Sequence, residues 1–231
     1  MTDFLAGANL WFGHYDPCLD LLKGLLKNSG QRQVCDLASG GGGPWERWLS
    51  RRCLDADVVL TDRYPNLEAF RALADRYENL SYLAQPVDAT AVPTDLAGVR
   101  TLFTALHHFP PEVVSGMCRD AAESGYPLAV FDFSQRRWMN ILLVPPIVFA
   151  LCWLLTPLLR PFRWSRLLLT YLLPIVPAAT VWDGLVSQLR AYTVDELRAL
   201  VPEVPGYHWE IGVRKSIGPA RVTYLIGRPK A

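Results

Sequence analysis

Val34-Cys35-Asp36-Leu37-Ala38-Ser39-Gly40-Gly41-Gly42-Gly43-Pro44 is the stretch whose reading decides the fold. A short apolar run ends in an acid, passes into contiguous glycines, and meets Pro44-Trp45, where a helix is expected to start. Glycine lets the backbone turn sharply and lets a ligand approach without a Cβ clash. Four consecutive glycines cost stability unless that approach is needed. Twenty residues past Gly42, Asp62 closes a second expected strand. A carboxylate there is placed to accept hydrogen bonds from both hydroxyls of a ribose.

Outward from this loop, short apolar runs alternate with amphipathic stretches, the pattern of a parallel sheet with helices on both faces. The expected strands are Gln33–Leu37, Val58–Thr61, Ser81–Pro86, Thr101–Ala105 and Leu128–Phe133. The helices between them are expected at Trp45–Arg52, Leu67–Arg76 and Glu112–Ala122. Runs such as Val58-Val59-Leu60 are apolar at consecutive positions, as a strand covered on both faces requires. Before the sheet, Leu10–Lys27 repeats leucines near helical spacing and is expected to form an N-terminal helical cap. Near the end, Thr193 and Glu196 form a capping box opening a short helix. Trp209–Val213 and Arg221–Ile226, joined by the turn-rich Ser216-Ile-Gly-Pro, are expected to form an antiparallel hairpin.

The 231 residues suffice for one large α/β domain. A net charge of +1 provides no global argument for nucleic acid or an acidic partner. The five cysteines are scattered without ligand spacing, so neither a disulfide framework nor a metal site is expected. Met1-Thr-Asp-Phe-Leu-Ala-Gly lacks the basic and apolar regions of a signal peptide, which implies a cytoplasmic catalytic part.

The loop and the acids that follow it resemble the class I S-adenosylmethionine-dependent methyltransferase family, over about Gln33 to Phe133 and again in the final hairpin. The family's first motif, an acid followed by a GxGxG-like loop, matches Asp36 with Ala38, Gly40 and Gly42. Ala38 stands where the family has its first glycine. The resemblance implies that Asp36 lies near the amino-acid end of S-adenosyl-L-methionine. It implies that Asp62 binds the ribose, and that Asp88-Ala89 reads the adenine. Ser39, Arg63 and Leu106 are assigned to the same cofactor pocket. Leu106-His107-His108-Phe109 resembles the loop between cofactor and acceptor. A nicotinamide-binding fold is the main competitor, but that fingerprint wants G-x-G-x-x-G with its pyrophosphate on a helix N-terminus. Here the glycines are contiguous and an acid precedes them, which suits an ammonium-bearing ligand.

His107 and His108 are the candidate catalytic residues, since histidine titrates in the range a general base needs. Either one acts as the base, or both only pack and cap the loop; methyl transfer from a sulfonium can proceed by positioning alone. Tyr15, Asp132, Asp183, Arg190 and Tyr192 are assigned to the acceptor side. Asp183, Ser187 and Arg190 share one helical face, as substrate-orienting groups or as an ordinary ion pair.

Ile141–Leu159 and Leu167–Trp182 carry no charged residue. The basic, aromatic Arg160-Pro-Phe-Arg-Trp-Ser-Arg166 joins them. The first run has roughly the length of a membrane span, but Pro145, Pro146 and Pro157 are expected to break it, and Pro174 and Pro177 to break the second. Two broken segments hinged by arginines suggest an interfacial or re-entrant element. The insertion docks on a membrane, lines a pocket for an apolar acceptor, or forms a dimer interface. In the family resembled, this position after the fifth strand commonly carries substrate-recognition insertions.

The fold expected is α/β, a Rossmann-like class I methyltransferase fold with a seven-stranded, mostly parallel sheet, a terminal antiparallel hairpin and an apolar helical insertion. Its parts are a cap (1–32), a cofactor-binding core (33–135), the insertion (136–192) and a C-terminal helix with hairpin (193–231). The expected reaction passes a methyl group to an apolar small molecule or lipid, with a membrane surface as a candidate partner and no nucleic acid. The competing functions are a membrane-associated cofactor-binding protein without turnover and an aminopropyltransferase, which would need an acidic channel.

Overall fold

The structure, a computed structural model, describes residues 10–159, 162–218 and 220–230. The first nine residues, Arg160 and Pro161 of the basic hinge, and Pro219 of the hairpin turn lie outside the described residues. One seven-stranded sheet organises the chain: β1 (Gln33–Leu37), β2 (Asp57–Leu60), β3 (Leu80–Tyr82), β4 (Val99–Phe103), β5 (Leu128–Asp132), β6 (Tyr207–Lys215) and β7 (Arg221–Pro229). Their order is β3-β2-β1-β4-β5-β7-β6. β1 to β5 pair in parallel, while β7 runs antiparallel to both β5 and β6. Residues in β4 and β5 are buried at every position between two helical layers, β5 as an apolar run and β4 with Arg100, paired to Asp120, and Thr101 among them.

One layer comprises α1 (Leu19–Ser29), α2 (Trp45–Ser50) and α3 (Leu67–Ala74), whose Leu22, Trp45, Trp48 and Phe70 form a core with Val34, Phe103 and Phe131. The other comprises α4 (Pro111–Glu123) and α8 (Val194–Leu200), packing Val114, Met117 and Leu197 against Cys35, Leu102 and Val130. The capping box at Thr193 and Glu196 is present in full.

Three expectations need correction. The N-terminal cap is not one helix: helical residues 10–12 end at Gly13, and a 3₁₀ turn, Asp16–Cys18, leads into α1. Gly13 adopts φ +61°, and the Arg47 guanidinium occupies the space its Cβ would need. That guanidinium pairs with Asp16, which also accepts from Trp48 Nε1 at 3.0 Å, while the repeating leucines from Leu19 on lie in α1 as expected. Second, β1 has the expected bounds, but β2, β4 and β5 are displaced at an end by one or two residues and β3 stops at Tyr82, four residues early, leaving Asp62 beyond the end of β2 instead of closing it.

Third, Pro145 and Pro146 do not break the first apolar run, because α5 (Trp138–Leu155) continues through both. Each proline removes an amide donor and crowds the carbonyl four residues back, a local cost that packing against the helix Ile175–Arg190 offsets. The second run is broken at Pro174 as expected, but Pro177 lies inside the helix that follows. α6 (Trp164–Leu167) extends through a π-helical turn, Leu168–Leu172, then bends by 79° at Pro174 into α7 (Ile175–Arg190). α5 and α7 lie antiparallel, Asn140 opposite Gln188 and Val144 against Gly184. The insertion is therefore a helical hairpin between β5 and α8.

Candidate functional site

The site forms at the C-terminal ends of β1, β2, β4 and β5, where a doubly wound sheet leaves a crevice. Beyond β1 the chain enters the loop at Ala38, whose φ is +50°. An alanine in that region is strained by roughly 1–2 kcal/mol. Gly40 follows at φ +54°, and nothing presses on the position of its absent Cβ except Ala38 O at 4.0 Å. Gly42 has no such freedom, since a Cβ there would strike Leu73. Ser39 closes the loop against β2: its N–H donates to Thr61 O at 2.9 Å and its hydroxyl to Asp36 O at 2.8 Å.

Asp36 lies beneath this loop, 1% exposed, accepting from the Thr101 hydroxyl at 2.7 Å. Burial pushes its carboxyl up to about 6, against the hydrogen bonds it accepts. Asp62 lies over the loop. One carboxylate oxygen accepts from Gly40 N–H at 2.9 Å and the other from Tyr64 N–H at 2.8 Å, so Asp62 fixes the loop's turn. Asp88 accepts from the Thr90 amide and hydroxyl, which hold its carboxyl below the usual range. Its second oxygen faces Arg63 at 3.4 Å in an exposed pair. Ala89 and Leu106 pack into the core on that side.

His107 and Asp132 meet where β4 and β5 end, on the side expected to take the acceptor. Leu106–His108 is a 3₁₀ turn following β4, and His107 is 3% exposed. Its Nδ1 lies 2.9 Å from Asp132 Oδ2, and its backbone N–H donates to the same oxygen at 3.2 Å. Asp132 Oδ1 accepts from Ser134 N–H at 2.8 Å. With the proton on Nδ1, facing that carboxylate, Nε2 is the ring's acceptor. His108 stacks obliquely on His107 with ring centroids 4.2 Å apart. Its pKa is lowered by burial first and by His107 second, while Asp183 opposes the shift.

Tyr15 is buried, edge-on to Phe103 at 5.2 Å. Burial and the charge of Asp132 keep its phenol neutral. Asp183 and Arg190 of α7 both act electrostatically on His108, which places that face of the hairpin root beside the histidines. Tyr192 is committed elsewhere. Its hydroxyl donates to Phe109 O at 2.7 Å, and it lines a separate cleft of about 170 Å³ with Arg136, Arg137 and Arg221.

Four contributors carry no sequence signal beyond their place in the chain. Thr101 holds Asp36, and Gln188 Oε1 receives Gln135 N–H at 2.9 Å, tying the hairpin to the sheet. Trp45 brings its indole N–H beside the Asp36 carboxyl, and Thr104 Oγ1 is buried without a hydrogen-bond partner. Thr104, directly after β4, holds φ +46°, unusual for a β-branched residue.

No protein-family model matches the sequence, and a search of curated proteins finds no match. Solved structures are similar. A Nostoc punctiforme protein provisionally described as an O-methyltransferase aligns at TM-score 0.52 and 15% identity, over 92% of this chain and 56% of its own. The methyltransferase domain of a bacterial Hen1 aligns at TM-score 0.53 and 15% identity, over 90% of this chain and 97% of its own. A Rhodobacter sphaeroides structure provisionally titled a zinc-dependent alcohol dehydrogenase aligns at 0.52 and 15%, over 99% and 98%. This chain thus spans little more than half the length of the Nostoc protein. Likeness at such identity establishes the architecture: the chain has the class I methyltransferase fold.

Proposed function

We propose that this chain transfers the methyl group of S-adenosylmethionine to an oxygen or nitrogen of an apolar acceptor, at a membrane surface, with His107 as general base. The observation that carries the reading is the His107–Asp132 pair, 2.9 Å apart, at the sheet edge that also holds the glycine loop. A binding protein without turnover has no need of a buried histidine held in one tautomer by a carboxylate, so the catalytic reading is preferred.

The residues present fit the methyl donor. Gly40 leaves its flank open, and the unpartnered Thr104 hydroxyl follows directly on β4, at the edge where a ligand would sit. Bound S-adenosylmethionine would supply a sulfonium-activated methyl group. Asp62 has lone pairs left for ribose hydroxyls, since each of its oxygens accepts only one backbone bond. Asp88 and the Ala89 amide are assigned to adenine. Asp36, enclosed and paired with Thr101, acts on the donor through the loop it supports.

On the acceptor side, His107 Nε2 takes the proton from the O–H or N–H that attacks the methyl carbon. Asp132 stabilises the imidazolium so formed, in the manner of an orienting carboxylate. His108, with a lowered pKa, stays neutral at pH 7 and adds no competing positive charge. The apolar hairpin rooted beside these residues favours an acceptor that partitions into lipid.

The test uses S-adenosylmethionine labelled in its methyl group with a lipid extract as acceptor mixture. Label should enter an organic-soluble product with the parent chain and not with His107→Ala. Label confined to water-soluble products would overturn the apolar acceptor. Absence of S-adenosylhomocysteine binding by calorimetry would overturn the donor.

A further inference from the structure

The helical hairpin 138–190 is packed inside out. Its buried positions are mostly small or polar: Cys152, Thr156, Thr170, Pro177, Thr180, Ser187 and Gln188. Large apolar residues point outward, among them Trp138 at 73% exposure, Leu154 at 70%, Trp164 at 78% and Leu172 at 70%. Water-soluble helices do the reverse, since exposing such residues forfeits the hydrophobic contribution. In lipid, where small and polar residues join helices and large apolar ones face the chains, this arrangement is the expected one. Only 11% of the most apolar window of Trp138–Leu158 is buried, so α5 is not the core helix of a soluble domain.

From this arrangement we infer that the hairpin crosses a lipid bilayer, with both roots and the catalytic sheet on one side and the α5–α6 turn on the other. The inference deepens the membrane-side reading of the acceptor and is independent of the identity of the methyl donor.

Length, circumference and charge agree. Trp138–Leu158 comprises 21 residues, about 31 Å of helix, against a hydrocarbon core of about 30 Å. Exposed Trp138, Leu142, Leu143, Ile147, Phe149, Trp153, Leu154 and Leu158 spread over roughly 200° at the helical turn angle. A helix lying flat on the membrane needs one polar face, which α5 lacks. Each end of the run carries arginine beside tryptophan, Arg137-Trp138 at the root and Arg163-Trp164 at the tip. Those pairs suit the two headgroup layers, whereas a tip halted at mid-bilayer would strand its arginines in hydrocarbon. At the root, Arg136, Arg137 and Arg221 line the cleft of about 170 Å³, and among the described residues Arg136 alone of the three has an acidic partner, Glu196. That surplus of positive charge fits anionic headgroups of the near leaflet. The polar groups inside the hairpin are satisfied there: Thr156 Oγ1 donates to Cys152 O at 2.6 Å and Thr180 Oγ1 to Val176 O at 2.8 Å.

The full chain, inserted from detergent into preformed phosphatidylcholine–phosphatidylglycerol vesicles, tests this. A Cys53→Ser background removes the one half-exposed cysteine, and Ser165→Cys marks the exposed tip. An impermeant maleimide trapped inside the vesicles should label the tip, the same reagent outside should not, and alkaline carbonate should leave the protein with the lipid. Release by carbonate, labelling from outside, or labelling only after detergent would each overturn the crossing. So would a monodisperse dimer in detergent-free buffer, in which a second copy covers the apolar face. S-adenosylhomocysteine binding in detergent separates the two readings: retained binding with a failed crossing leaves the donor site standing.

Discussion

His107 and Asp132, 25 positions apart in the chain, meet at 2.9 Å because β4 and β5 are parallel neighbours. β4 ends at Phe103, opposite Phe131, so the turn after β4 and the last residue of β5 share one edge. Register, not local sequence, makes this pair.

The first prediction follows from that contact. His107→Gln should lower kcat by about 10²–10⁴-fold, the range general-base catalysis supplies. Asp132→Asn should also lower kcat, because an amide no longer selects the Nδ1–H tautomer. Both should retain S-adenosylhomocysteine affinity within a few fold. Steady-state kinetics beside calorimetry checks the split, and an unchanged kcat would remove His107 from the mechanism.

Asp62 joins the loop's turn to the proposed ribose site. Asp62→Ala frees the Gly40 and Tyr64 amides, each bonded to that carboxylate. Affinity for S-adenosylhomocysteine should fall at least tenfold, since hydrogen bonds to a charged group contribute about 1.5–3 kcal/mol. Titration calorimetry measures it; an unchanged Kd would displace the ribose from Asp62.

Two non-glycine residues at the site hold positive φ, Ala38 at +50° and Thr104 at +46°. Ala38→Gly should raise stability by about 0.5–1 kcal/mol, the left-handed strain relieved less the entropy glycine adds to the unfolded chain. Thr104→Gly should also stabilise the fold but weaken S-adenosylhomocysteine binding, because it deletes the orphaned hydroxyl. Urea midpoints and calorimetry would show the two effects diverging at Thr104 and not at Ala38.

Asp36 provides a pH signature. Its folded pKa of about 6 lies above the ordinary 3.8, so the folded state binds the extra proton in that window. The group's contribution is fully present below pH 4 and lost as pH rises through about 6. Asp36→Asn, which keeps the shape without the charge, should therefore gain stability relative to the parent between pH 4 and 7, then run parallel above. Urea denaturation at pH 4.5, 6 and 8 checks the sign, and a gap that shrinks with rising pH would contradict it.

Much of the donor side was legible before any coordinates. The strand-to-glycine turn at Asp36–Gly42, the spacing to Asp62 and the apolar runs of β2 and β5 are local signals, written in residue type and period. Proline misled at Pro145 and Pro146, where packing against α7 offsets the lost donors and crowded carbonyls. Leucine spacing found α1 but not its start, since the chain turns at Gly13 beside the Arg47–Asp16 pair.

By itself, then, the sequence determined the sheet, the glycine loop with the acids around it, and the position and greasiness of the insertion. These depend on backbone freedom and hydrophobic period along the chain. Tertiary structure decided that Asp36 lies buried under the loop, that His107 is oriented by Asp132, and that Tyr192 lines a different cleft. It also decided which side of the hairpin is polar. Such facts depend on strand register and helix rotation, which bring distant residues together and which no single segment encodes.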